Sequence, residues 1–108
     1  RAVQDAANNA LLLDRLQGQA DRRASFVSTL VALRHADDPQ PLIAFGRWQG
    51  EILDAPRGEA GFGYDPLMFI PSLGRSVAQM PAEEKSRCSH RALAARDMLA
   101  LMRAHWLA

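Results

Sequence analysis

The sequence is poor in thiols, in lysine and in long apolar runs. Its 108 residues contain one cysteine, Cys88. A lone thiol forms no internal disulfide and builds no thiolate metal site, so a reducing, cytoplasmic setting is the expectation. No apolar run approaches the roughly 20 residues that span a bilayer, which excludes a transmembrane helix. Thirteen basic residues face twelve acidic ones, a net charge of +1. No global field draws the chain to nucleic acid or anionic lipid, and neither is expected as a partner. Twelve of the basic residues are arginine, and Lys85 is the one lysine. The chain opens on Arg1 and shows no signal-peptide pattern, which is compatible with a trimmed or partial chain.

What is present suits a folded domain. The 48% hydrophobic and 23% charged fractions match globular averages and argue against disorder. Val3, Ala6, Ala10, Leu13 and Leu16 recur at helical spacing, so residues 3–17 read as a helix, with Asp5, Asn8 and Asp14 largely off the stripe. Gly18 suits its C-terminal cap. Residues 25–33 are apolar and β-branched on both alternating faces, which predicts a central strand covered on both sides. The turn 35–41 leads to a second strand over 42–48 and a third, short one over 51–53, an antiparallel meander. Residues 54–63 include three glycines and one proline and read as a loop. Residues 67–70 form a short strand ended by Pro71. A short helix over about 81–86 and a longer one through Leu107 follow, with Ser89 as N-cap. The long helix presents Ala95, Met98, Leu99, Met102 and Trp106 as its apolar stripe. The order is that of an α/β chain, a mixed and mostly antiparallel sheet flanked by helices.

Two stretches concentrate chemistry. In Gly61-Phe62-Gly63-Tyr64-Asp65-Pro66 the glycines allow the backbone to hold Phe62 outward and to approach a ligand, and Pro66 drives Asp65 toward an extended conformation. An outward ring suits stacking on a nucleobase, at about 1–3 kcal/mol per base. A β-turn whose Phe62 and Tyr64 plug the core fits the same pattern. Residues 83–91 place Lys85, Ser86, Ser89, His90 and Arg91 beside a helix N-terminus, a cluster of donors for an anionic or carbonyl-rich ligand. Taken alone, the stretch is better read as a capped, solvated helix start. A Ser-His-Asp hydrolase fits poorly, because Ser89 and His90 are sequence neighbours and no nucleophile elbow is present. The pairs Asp37-Asp38 and Glu83-Glu84 lack metal-ligand spacing, and Cys88 suits packing as a small apolar residue.

Together with residues 74–80, these two stretches closely resemble the ITP/XTP pyrophosphatase family, which hydrolyses non-standard purine nucleoside triphosphates to the monophosphate and pyrophosphate. Asn9 with Leu12-Leu13, the strand from Phe26 to Arg34, Pro41-Leu42 and Gly50-Glu51-Ile52 agree with it. The resemblance covers essentially the whole chain, but only the C-terminal portion of that family's two-lobed fold. It makes residues 1–108 the C-terminal part of a single pyrophosphatase domain. The family's Ser/Thr-x-Asn-x-x-Lys triphosphate motif, its acidic magnesium ligands and its water-activating Asp are not among these residues. Ser76 stands where Thr is frequent and Gln79 where Glu is usual, both expected to be structural.

Residue by residue, the resemblance makes Phe62 the ring that stacks on the purine, within Gly63 and Tyr64 of the same loop. Asp65 becomes the carboxylate that orients neighbouring donors or meets the ligand. Lys85, His90 and Arg91 become nucleotide-binding residues, with Ser89 beside them. No catalytic residue and no metal ligand is expected in this chain, and Mg²⁺ would be held by the family's N-terminal part. The implied substrates are ITP, dITP and XTP, and the implied assembly is a homodimer. A 6-oxo acceptor on the base would pair with donors from Ser89, His90 and Arg91, whereas an adenine amino group would face like partners. Such a site rejects the analogue by roughly 10⁴-fold or more. The rival reading is a non-catalytic nucleotide-binding or dimerisation module, which would bind nucleotide without releasing pyrophosphate. A purely structural half-domain would show no nucleotide affinity.

Overall fold

The helical start, the two long apolar runs and the helical end become, in a computed structural model that describes residues 1–107, α1 (Ala2–Arg15), β1 (Arg23–Ala32), β2 (Leu42–Ile52), β3 (Met68–Ile70), β4 (Arg75–Ser76), α2 (Ala82–Cys88) and α3 (His90–His105). A short 3₁₀ turn, Val77–Gln79, follows β4. The four strands lie in the order β1-β2-β3-β4. β2 pairs antiparallel with β3, Glu51 opposite Phe69, and β3 antiparallel with β4, Phe69 opposite Ser76. The fold is α/β, an antiparallel meander with flanking helices, as the sequence predicts.

Contacts divide the chain into two compact units. One comprises Arg1–Ser25 with Gln49–Pro81, the other Phe26–Trp48 with the chain from Ala82 onward. The first unit buries Ile52, Leu67, Met68, Ile70, Val77, Ala78 and Met80. The second buries Ala44, Trp48, Ala94 and Met98.

Three expectations are corrected. The second and third predicted strands are one strand, β2, which runs through Gly50. A Cβ at Gly50 would collide with the Phe69 carbonyl, so this glycine marks the close approach of β3 rather than a break. The predicted central strand is β1 at the end of the strand order, with Val27 and Val31 more than half exposed. Its apolar alternation is two-sided, but the strand has one paired neighbour and one covered face among the described residues. Both long helices are rotated from their predicted stripes. In α1 the partly covered positions are Asp5, Asn8, Asn9, Leu12, Leu13 and Leu16, while Val3 is 85% exposed. In α3 the buried residues are Ala94 and Met98, and Ala95 and Leu99 are exposed.

The rotation of α3 has its cause in β2. A Cβ at Gly46 would collide with the backbone of His90 and Ala94, so α3 rests directly on β2 at this side-chain-free position. Ala94, the smallest side chain available, faces that contact. Gly18 has the left-handed φ of 81° expected after α1. The caps also follow the sequence. Ser89 Oγ accepts the Ala92 N–H at 3.1 Å. Ser76 and Gln79 form a reciprocal capping box, the structural role expected of both.

Candidate functional site

The predicted site residues fall into two groups, one in each unit. In the first, Gly63 sits at φ 59° between turns, a left-handed conformation that a side chain disfavours. Its N–H donates to Asp5 Oδ2 at 2.9 Å and its carbonyl accepts from Asn9 Nδ2 at 3.1 Å. Asp5 and Asn9 are four apart on α1 and therefore share a face. They grip both polar groups of one peptide residue. Asn9 Oδ1 is buried with no hydrogen-bond partner among the described residues.

Asp65 is buried, and its Oδ2 accepts the Phe62 N–H at 3.1 Å. Residues 63–67 are a run of turns rather than an extended stretch, so this hydrogen bond gives the carboxylate its direction. With its backbone held by Asp65 and its neighbour held by α1, Phe62 projects outward at 42% exposure, and Tyr64 at 41%. The alternative in which both rings plug the core is excluded. The Arg1 guanidinium lies 4.3 Å from the Phe62 ring centroid, a cation–π contact on the ring face. The preceding loop is tied down by the Arg57 N–H donating to the Pro66 carbonyl at 2.9 Å and by Ser76 Oγ donating to the Arg57 carbonyl at 2.6 Å.

Arg22 fixes the frame behind this loop. Its guanidinium donates to the carbonyls of Leu16, Ile52 and Leu53 at 2.8, 2.8 and 3.1 Å, joining the end of α1 to the end of β2.

In the second unit, Lys85 lies half-buried on α2 and its carbonyl accepts the Ser89 N–H at 2.8 Å. Ser89 caps α3, His90 is the first residue of that helix, and Arg91 follows, exposed. The His90 ring is half-buried, 5.1 Å from the Phe26 ring and 6.5 Å from that of Trp48, centroid to centroid. Cys88 is partly buried and donates to the Glu84 carbonyl at 3.1 Å, a local contact.

The chain matches the Ham1 family over residues 1–101. It belongs to the Ham1 family. It is 99% identical over 108 residues to a dITP/XTP pyrophosphatase of Methylibium petroleiphilum, covering 100% of this chain and 52% of that protein. A dITP/XTP pyrophosphatase of Leptothrix cholodnii is 64% identical over 106 residues, covering 98% and 50%. Among solved structures, a HAM1 protein from Coxiella burnetii superposes with a TM-score of 0.88 at 37% identity, covering 93% of this chain and 52% of that one. The chain thus spans about half the length of the curated relatives it matches.

Among the described residues no three His, Cys, Asp or Glu side chains converge on a point that would hold a metal ion. Among the described residues, these side chains alone offer no magnesium site. No described helix is long and apolar enough to cross a membrane. Sequence reasoning missed the grip of Asp5 and Asn9 on Gly63, the contact of Arg1 with Phe62 and the tie of Arg22. The first had a signal: Asp5 and Asn9 are polar residues four apart, and so on one face of the predicted helix.

Proposed function

We propose that this chain, within a protein of the relatives' full length, contributes base recognition to the hydrolysis of ITP, dITP and XTP to the monophosphate and pyrophosphate. The observation that carries the reading is the outward Phe62 ring on a loop whose backbone is held by Asp65, Asp5 and Asn9. A ring held in this way loses little freedom when a purine stacks on it. Gly63, Tyr64 and Asp65 shape the loop. Lys85, Ser89, His90 and Arg91 are proposed as nucleotide-contacting residues, Lys85 suited to phosphate and Ser89, His90 and Arg91 to the 6-oxo group. The hydrolysis is proposed to depend on Mg²⁺ held by residues outside this chain.

A homodimer is also proposed. Val27, Val31, Ile43 and Phe45 are exposed on β1 and β2, at 52, 60, 47 and 61%, an apolar surface that such an assembly would cover. Light scattering of the full-length protein at micromolar concentration tests this, and a monomer mass would overturn it.

The deciding experiment on function measures pyrophosphate release from ITP and ATP, with and without Mg²⁺, in the full-length relative that is 99% identical to this chain. Metal-dependent release from ITP in strong preference to ATP is expected. Binding of ITP without release would favour the binding-module reading instead. In Phe62→Ala, ITP affinity is expected to fall about tenfold or more, and unchanged affinity would remove the stacking role.

A further inference from the structure

The contacts around His90 extend beyond what its place in the sequence requires. Its main chain is fixed by two independent features. Ser89 caps the helix through Ala92, and Gly46 lets the His90 carbonyl rest on β2. A fixed main chain does not aim an imidazole, because the torsion that turns its ring is broad. Hydrogen bonding is directional, so a ring nitrogen that reads a base needs that torsion held as well.

Two aromatic rings are in place to hold it. β2 alternates Ala44, Gly46 and Trp48 onto its covered face, which brings the Trp48 indole to the same side as the backbone contact at Gly46. Trp48 lies with its plane 26° from that of His90. From β1, Phe26 approaches at 5.1 Å with a 52° tilt, and it meets Trp48 edge-on at 6.5 Å and 66°. All three separations fall in the range where aromatic pairs have preferred mutual angles. Aliphatic side chains would fill the same volume without an angular preference.

We infer that Phe26 and Trp48 are positioning residues that set the ring orientation of His90, and that through it they set base selectivity. The inference rests on the proposed role of His90 at the base. It assigns to the two rings a function separate from their part in the core, since selectivity and stability then respond differently to their replacement.

The test is a double-mutant cycle in the full-length relative, read as the ratio of kcat/KM for ITP to that for ATP, with Tm measured alongside. Trp48→Leu and Phe26→Leu are each expected to lower this ratio by about fivefold, and Trp48→Phe is expected to restore most of it. In a His90→Ala background the same replacements should change the ratio no further, because the residue they act through is gone. Losses that add to that of His90→Ala, or an unchanged ratio in the Leu variants, overturn the inference. So does a parallel fall for both nucleotides that tracks Tm. A wild-type ratio in His90→Ala alone has a different meaning, for it refutes the base-contacting role of His90 itself. Should Trp48→Leu fail to fold, Phe26→Leu, on a half-buried strand position, completes the cycle.

Discussion

The side-chain amide of Asn9 donates to the carbonyl of Gly63 at 3.1 Å across 54 positions of sequence. Asp5, one helical turn earlier, takes the N–H of the same glycine at 2.9 Å. The exposed Phe62 is thus oriented by residues of α1, a helix that keeps every residue at least partly exposed.

Asn9→Ala should weaken ITP binding about fivefold, the size of one lost hydrogen bond. Stability should change little, because alanine is the better helix former. Isothermal titration of the full-length protein together with urea unfolding separates the two effects. A large stability loss with unchanged affinity would show that the contact serves the fold alone.

Gly46→Ala forces a methyl group into the backbone of α3 at His90 and Ala94. Overpacking of this kind destabilises by roughly 1–3 kcal/mol, and here the obstacle is main chain, so the upper end is expected. Thermal unfolding measures it. A Tm within a degree or two of wild type would mean that α3 lifts from β2 at little cost.

Arg22→Lys keeps the charge and loses the fork that reaches three carbonyls. Two or more part-buried carbonyls then lose their partner, at about 1–3 kcal/mol in total. Urea denaturation should show a lower midpoint, and an unchanged midpoint would mean that water replaces the guanidinium without penalty.

The Asp38 carboxylate is held well below the usual carboxylate range, first by its hydrogen bond with the Arg34 side chain, then by the backbone N–H groups of Arg34 and Gln40. A lowered folded-state value means that its stabilisation is complete above the unfolded pKa of about 4 and is lost as pH falls below it. Asp38→Asn should therefore lower Tm at pH 7 and flatten the acid side of the Tm profile. A variant profile parallel to wild type below about pH 4 would assign acid sensitivity to other groups.

Local chemistry was legible in the sequence. The Ser89 cap, the left-handed Gly18 and the turn at Asp38 each depend on a few adjacent residues, and each is present. Long-range choices were not. The face that α3 buries is decided by a glycine 44 positions earlier in β2, so its own apolar stripe misleads by one residue. Gly50 resembles a strand break, yet it admits the Phe69 carbonyl. Residues 75–76 form a strand only because β3 offers an edge to pair with. Within the site, the loop motif left open whether Phe62 points outward or plugs the core, and the structure places it outward. What holds the loop lies on α1, where the predicted stripe had left Asp5 off the packed face.

The division into two units cuts through both long strands, at Ser25/Phe26 in β1 and at Trp48/Gln49 in β2. Each unit is therefore assembled from two separated stretches. Neither unit can close until both of its stretches are present, so no continuous run of the described residues forms a unit alone, and the apolar β1 and β2 must stay soluble until the later stretches that complete each unit are made.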